Sequence, residues 1–128
     1  MPVGAAALAP TAAFALPNCS PAAGDNVTVT CSGAVLNQGP EANTGYGSGL
    51  QNGLTINVVA SPPSSVTGTS IGIDVGSNNT VNNFGTVTTF GSGGIGDVFG
   101  INANGTNLTV NNSGTIGRLD IPNFVFDA

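Results

Sequence analysis

Six carboxylates and one cation are all the acid–base chemistry this chain carries: Asp25, Glu41, Asp74, Asp97, Asp120 and Asp127, with Arg118 and no His or Lys. Hydrolysis of a glycosidic bond asks for two carboxylates about 5–9.5 Å apart across the sugar. An eliminating lyase asks for a base, with cations to hold an acidic substrate. None of the six acids occupies the same place as another in the repeat that organises the chain, so no stacked pair is expected. They are read as isolated, solvated residues of turns. No residue is assigned a catalytic role, and the chain is not read as an enzyme.

Two further patterns bear on ligands. Gly93-Gly94-Ile95-Gly96-Asp97 comes near the calcium-binding nonapeptide of β-rolls, but its Asp falls one position early and no tandem copy shares ligands with it. It is read as a Gly-rich corner, and neither a metal nor a cofactor is expected. Cys19 and Cys31 are the only cysteines, and with no His they cannot complete a tetrahedral zinc shell. They are expected to form a disulfide, which restricts the unfolded chain by roughly 3 kcal/mol for a loop of about 13 residues. Such a bond persists in an oxidising compartment.

The elements that must position these residues are announced by one phrase. It reads Val27-Thr28-Val29-Thr30, Leu54-Thr55-Ile56-Asn57, Asn79-Thr80-Val81-Asn82 and Leu108-Thr109-Val110-Asn111. From Val29 to Ile56, Val81 and Val110 the spacings are 27, 25 and 29 residues. Alternation of apolar and polar residues is the period of a strand with one buried face. A β-type phrase recurring at such a period marks a solenoid, whose repeats bury their apolar faces by stacking. In three copies the phrase runs on to a Gly and a second apolar residue, Val35, Val87 and Ile116. A weaker pattern, Ile71-Gly72-Ile73-Asp74 and Phe99-Gly100-Ile101-Asn102, supplies a third strand.

The expected fold is therefore all-β: a right-handed parallel β-helix of about four coils with a period of 25–29 residues. Val29, Ile56, Val81 and Val110 should form one inward column. Thr28, Thr55, Thr80 and Thr109 should form an outward rank, with Thr30, Asn57, Asn82 and Asn111 in a second rank able to build an amide ladder. Asn79 falls at an inward position, so its coil is either shifted or holds a polar inward site. Residues 40–53 read as a polar, Gly-rich excursion, and residues 60–66, with Pro62 and Pro63, as a corner loop. The loops at 37–53 and 60–70 are expected to be contact elements.

Composition sets the boundaries. Charged residues are 5% of the chain, the net charge is −5 and 40% of residues are hydrophobic; ordinary soluble domains carry roughly 25% charged residues. A chain with one cation cannot build a nucleic-acid or anionic-membrane surface. No run reaches the ~18 apolar residues of a membrane-spanning helix. Residues 1–15 are small and apolar and end in Ala13-Phe14-Ala15, which reads as the remnant of a secretory signal or as a disordered arm. Residues 16–128 read as a single β-solenoid domain whose N-terminal cap is closed by Cys19 and Cys31.

Residues 18–31, with Thr-Val-Asn-Asn-Phe-Gly-Thr-Val at 80–87 and Thr-Val-Asn-Asn-Ser-Gly-Thr-Ile at 109–116, resemble the N-terminal part of bacterial autotransporter passenger domains, over roughly residues 16–121. The resemblance implies a secreted or cell-surface β-helix of a Gram-negative bacterium, associated with the outer membrane. It implies a structural or adhesive segment with a host surface or a carbohydrate as ligand. The rank Thr28/Thr55/Thr80/Thr109 offers an alternative, an ice- or carbohydrate-binding face. A polysaccharide-active fragment is the weaker reading. The apolar residues 121–126 make a poor solvent-facing cap, so further coils or end-to-end self-association are expected there.

Overall fold

The computed structural model describes residues 18–90 and 99–117 together with the strands Leu119–Asp120 and Phe124–Asp127. The expected disulfide lies within it. The signal-like residues 1–15, the Gly-rich run at 93–97 and Arg118 lie outside the described residues.

After β1 (Asn18–Ser20) the chain makes three strands per turn. The first pass is β2 (Thr28–Ser32), β3 (Ala34–Leu36) and β4 (Thr44–Gly47); the second is β5 (Thr55–Val58), β6 (Ser65–Gly68) and β7 (Ile71–Val75). The third is β8 (Thr80–Asn83), β9 (Thr86–Thr89) and β10 (Phe99–Ala103). A fourth follows as β11 (Leu108–Asn112), β12 (Thr115–Ile116) and β13 (Leu119–Asp120), and β14 (Phe124–Asp127) returns to the first face. Three faces result: β1-β2-β5-β8-β11-β14, then β3-β6-β9-β12, then β4-β7-β10-β13. Every pairing is parallel except β1 with β2. The chain is an all-β parallel solenoid, with three complete turns from β2 to β11 and a fourth pass in register beyond.

The repeated phrase stacks as its spacing requires. Val29, Ile56, Val81 and Val110 are register partners, each 0% exposed. Val35, Val66 and Val87 form the inward column of the second face, and Tyr46, Ile73 and Ile101 that of the third. Fully burying a Val or Ile stabilises by about 1.5–3 kcal/mol relative to exposure. The columns converge from three faces, so no face has to be covered by another layer.

Two expected loops contain strands. Thr44–Gly47 lies within the stretch read as an excursion, and Ser65–Gly68 within the supposed contact loop at 60–70. Val66 sits between Val35 and Val87, so the second coil does carry the inward residue its phrase lacked. What bulges is only the insert at residues 60–63. Ser64 closes it, accepting from Gly33 N–H at 3.0 Å and donating to Pro62 O at 2.8 Å. Asn79 proves to be a polar inward site, not a shifted coil. It is 1% exposed; its Oδ1 accepts Leu54 N–H at 2.7 Å and its Nδ2 donates to Gln51 O at 3.0 Å.

Glycine shapes the third face through close approach. Gly45, Gly72 and Gly100 fall in one column of β4, β7 and β10. A Cβ on Gly72 would strike Gly100 O, stand 2.8 Å from Thr88 O and press on Val87 Cγ1 at 3.0 Å. The apolar-Gly-apolar pattern is thus the condition for the second and third faces to meet.

The first end of the stack is closed. β1 pairs antiparallel with β2, with Cys19 directly opposite Cys31, and the two form a disulfide with their Cα atoms 3.9 Å apart. Gln38 grips the other edge of β1, its Oε1 accepting Cys19 N–H and its Nε2 donating to Cys19 O, both at 2.7 Å. Ala23 and Val27 pack on the core from above.

Two outcomes test this packing. Gly72→Ala should cost about 1–3 kcal/mol by overpacking against backbone, read as a lowered denaturant midpoint. Replacing Cys19 and Cys31 together by Ser should cost about 2–4 kcal/mol in the same measurement.

Candidate functional site

The outer side of the six-stranded face is the largest regular surface the described residues build. Inward Val29, Ile56, Val81 and Val110 force their neighbours outward. The register aligns Thr28, Thr55, Thr80 and Thr109 in one rank, and Thr30, Asn57, Asn82 and Asn111 in a second. The second rank is an amide ladder: Asn82 Nδ2 donates to Asn57 Oδ1 at 2.8 Å and Asn111 Nδ2 to Asn82 Oδ1 at 2.7 Å. Each bond uses only part of an amide's capacity of two donors and two acceptor lone pairs. The ladder therefore fixes the amide planes while leaving hydrogen-bonding capacity toward solvent. Beyond Asn82 the next outward residue is Phe84, 52% exposed. From β2 through β11 these ranks carry no charge; in β14 the register partners of Thr109 and Asn111 are Val125 and Asp127.

A second ladder sets where each strand of this face begins, and it was not anticipated from the sequence. Asp25 Oδ1 accepts Asn52 N–H at 2.8 Å, Asn52 Oδ1 accepts Ser77 N–H at 2.7 Å, and Ser77 Oγ accepts Thr106 N–H at 3.1 Å. The next residue in each coil has a positive φ: Asn26 at 56°, Gly53 at 71°, Asn78 at 59° and Asn107 at 60°. Asn and Gly tolerate this left-handed conformation better than other residues. Asn107 Nδ2 also donates to Asn78 Oδ1 at 2.9 Å. The signal was legible as a polar residue followed by Asn or Gly just ahead of every copy of the phrase.

The described carboxylates are put to separate uses. Asp25 serves the corner ladder and Glu41 is exposed. Asp74 corrects the expectation of a solvated turn residue: it lies in β7, 3% exposed. Its Oδ1 accepts Asn102 Nδ2 at 2.9 Å and Asn104 Nδ2 at 3.2 Å, and Asn102 Nδ2 also reaches Asn104 Oδ1 at 3.1 Å. The expectation that no two acids share a repeat position also fails. Asp74 and Asp120 both align with Asn102 and so occupy one column, one coil apart on either side of it. The weak third-strand pattern ended at Ile101-Asn102, so the equivalent of Asp74 in the fourth pass was not recognised. Among the described residues no group of three or more His, Cys, Asp or Glu is placed to hold a metal ion.

A cleft of about 210 Å³ lined by Ala22, Ala23, Gln38, Pro40 and Tyr46 opens at the capped end. Ligand pockets generally run from about 300 to 1,000 Å³. Its polar groups are already engaged: Gln38 holds Cys19, and Tyr46 OH donates to Pro21 O at 2.7 Å. Burial pushes the Tyr46 phenol up to about 12. The cleft belongs to the cap and offers a ligand little to bind.

No family model, no curated protein and no solved structure matches the chain. No helix of the described residues is long and apolar enough to cross a membrane. The disulfide points to an oxidising, non-cytoplasmic setting.

Desolvation of Asp74 raises its carboxyl above the ordinary 3.8, outweighing the lowering by the Asn102 and Val75 hydrogen bonds, with Glu41 adding to the rise. The fold therefore penalises the ionised form. That cost is full above the folded pKa and fades as pH falls toward the unfolded value. Asp74→Asn keeps an acceptor for Asn102 and Asn104 without the charge. It should raise the melting temperature at neutral pH, and the advantage over the parent should shrink as the pH is lowered toward 3.8.

Proposed function

We propose that the chain is a non-catalytic structural and adhesive segment of a secreted or cell-surface β-solenoid protein, and that it makes contact through the outer side of its six-stranded face. The observation that carries this reading is the uncharged double rank from β2 to β11, held in register by the Asn57-Asn82-Asn111 ladder. Such a surface suits a neutral polysaccharide. Amides and hydroxyls pair with sugar hydroxyls, Phe84 offers an apolar platform to a ring face, and these ranks from β2 to β11 hold no cation to attract an acidic polymer. On this reading the contact residues to test first are on strands of the six-stranded face, with the loops at 37–53 and 60–70 as the other expected contact elements.

The relation to autotransporter passengers, with a Gram-negative cell surface as the setting, is supported by the repeated phrases. It is also supported by the way β14 lies on β11 as the first strand of another coil. The open edge of β14 suits either further coils or end-to-end association of separate chains.

The rank Thr28/Thr55/Thr80/Thr109, aligned over four strands, supports a second reading as an ice-binding face. Its neighbouring rank is Asn in three of four places, and Phe84 projects beside it, both of which spoil a uniform lattice of Thr.

Affinity electrophoresis on gels containing cellulose derivatives, dextran or mannan separates these readings. The parent should be retarded by at least one neutral polymer and not by alginate. Phe84→Ala and Thr80→Asp should each weaken that retardation about tenfold, equivalent to about 1.4 kcal/mol. Retardation by none of the neutral polymers, or retardation unchanged in both variants, would remove the glycan-binding face. Thermal hysteresis of the parent, lost in Thr80→Asp, would establish the second reading instead.

A further inference from the structure

Two Asn-Gly pairs occur in the described residues, Asn52-Gly53 and Asn104-Gly105, and the fold treats them in opposite ways. In such a pair the glycine nitrogen can attack the side-chain amide carbon, since glycine puts no side chain in the way of ring closure. At the first pair both reacting groups are tied. Gly53 N–H donates to Ser77 O at 3.1 Å, and Asn52 Oδ1 accepts Ser77 N–H at 2.7 Å. At the second pair the nucleophile is free. Asn104 N–H donates to Val75 O at 2.8 Å, but among the described residues Gly105 N–H has no acceptor. The Asn104 residue is exposed, and its amide is held only by the longer contacts to Asp74 and Asn102, at 3.2 and 3.1 Å.

We infer that Asn104 is a self-modification site that converts slowly to aspartate or isoaspartate in the folded protein. The Gly105 nitrogen gives its proton to water and bonds to Asn104 Cγ. The Cγ–Nδ2 bond breaks and Nδ2 leaves as ammonia, which gives a five-membered succinimide. One water then opens the ring: cleavage at the Cγ–N bond yields aspartate, and cleavage at the backbone carbonyl yields isoaspartate. In sum one water is consumed and one ammonia is released, with no oxidant or cofactor.

The position gives the reaction a structural effect. Asn104 Nδ2 is a donor to Asp74 Oδ1, and the product replaces that donor with a carboxylate oxygen beside a buried carboxyl. A hydrogen bond is lost and a like-charge repulsion is gained. Gly49 lies so close over this pair that a Cβ there would strike Asn104 Nδ2 and stand 3.0 Å from Asp74 Oδ2. Conversion therefore acts on a point where the first, second and third coils meet, and it loosens the stack with age.

Peptide mapping by mass spectrometry of the folded protein, incubated at mildly alkaline pH, tests the site. The amide-to-acid mass gain should accumulate at Asn104 and not at Asn52, and both should react once the chain is unfolded in denaturant. Equal rates at the two sites in the folded protein would overturn the inference. So would an unreactive Asn104 in the fold when the unfolded chain reacts there. The structural effect is read separately. Asn104→Asp should lower the melting temperature of the parent, and the loss should be largely relieved in an Asp74→Asn background. An equal loss in both backgrounds would overturn the role assigned to Asp74.

Discussion

Each strand of this molecule finds its backbone partners one full turn away along the chain, and the rest of the structure answers to that constraint. Thr55 N–H reaches Val27 O, Thr80 N–H reaches Leu54 O and Thr109 N–H reaches Asn79 O, each at 2.9 Å. Among the described residues no hairpin offers a local alternative except at β1, so a coil that returned out of register would leave a row of buried amides unpaired. Register is therefore held constant while path length is not. The spacings of 27, 25 and 29 residues differ because surplus chain is expelled at corners. Residues 37–43 are surplus in the first coil and residues 60–63 in the second, and neither displaces an inward column. Stacking also explains why so few charges suffice, since polar groups are paired along the axis with copies of themselves.

Asparagine carries much of that polarity, in four distinct physical roles. At the corners Asn26, Asn78 and Asn107 accept a left-handed backbone. On the outer face Asn57, Asn82 and Asn111 link coil to coil. In the interior Asn79 stands where two other coils have Leu54 and Leu108, and it satisfies two backbone groups. Asn83, 0% exposed, donates to Asn112 Oδ1 and Thr115 O while its Oδ1 accepts Gly85 N–H. A short amide with two donors and two lone pairs can meet a demand such as that at Asn83, two donations and one acceptance, which the single donor of a hydroxyl or an acceptor-only carboxylate could not. No described buried side-chain nitrogen or oxygen lacks a partner, which is the condition for placing polar residues inside at all.

The columns were legible from sequence where β-branched residues alternate with Thr or Asn, because that pattern has only one way to face a core. Val29, Ile56, Val81 and Val110 and the two outward ranks followed from it, while the pairing of Cys19 with Cys31 followed from there being only two cysteines and no His to make a zinc shell with them. Thr44-Gly45-Tyr46-Gly47 was not legible, since a strand half made of Gly has little intrinsic preference and is held by β7 and the tight approach of the second face. Ser65-Val66-Thr67 was hidden by the prolines before it, which displaced it from its expected offset. Asp74 misled for another reason. Its place in β7 was readable, but its burial depends on Gly49 and the loop around it folding over from the first coil, and no local pattern encodes that. The outer face had the opposite fate: the Thr and Asn ranks were read correctly, while Phe84 beside them went unremarked because it sits in the turn after the strand.

The two sides of the stack are chemically unlike, and this gives the molecule a direction. On one side β1 runs antiparallel to β2, is covalently tied to it and is gripped by Gln38. A further parallel coil cannot add there without displacing all three. On the other side β14 lies parallel on β11 in the register of the earlier turns. Pairing can thus propagate from the disulfide-closed side toward β14 and not the reverse. The same polarity keeps the Thr and Asn ranks straight. Their alignment is set once, at Asp25 and Asn26 beside the cap, and is handed on by Asn52, Ser77 and Thr106 at successive corners. The regularity of the outer face rests on these corner bonds together with the inward columns and the Asn57-Asn82-Asn111 ladder.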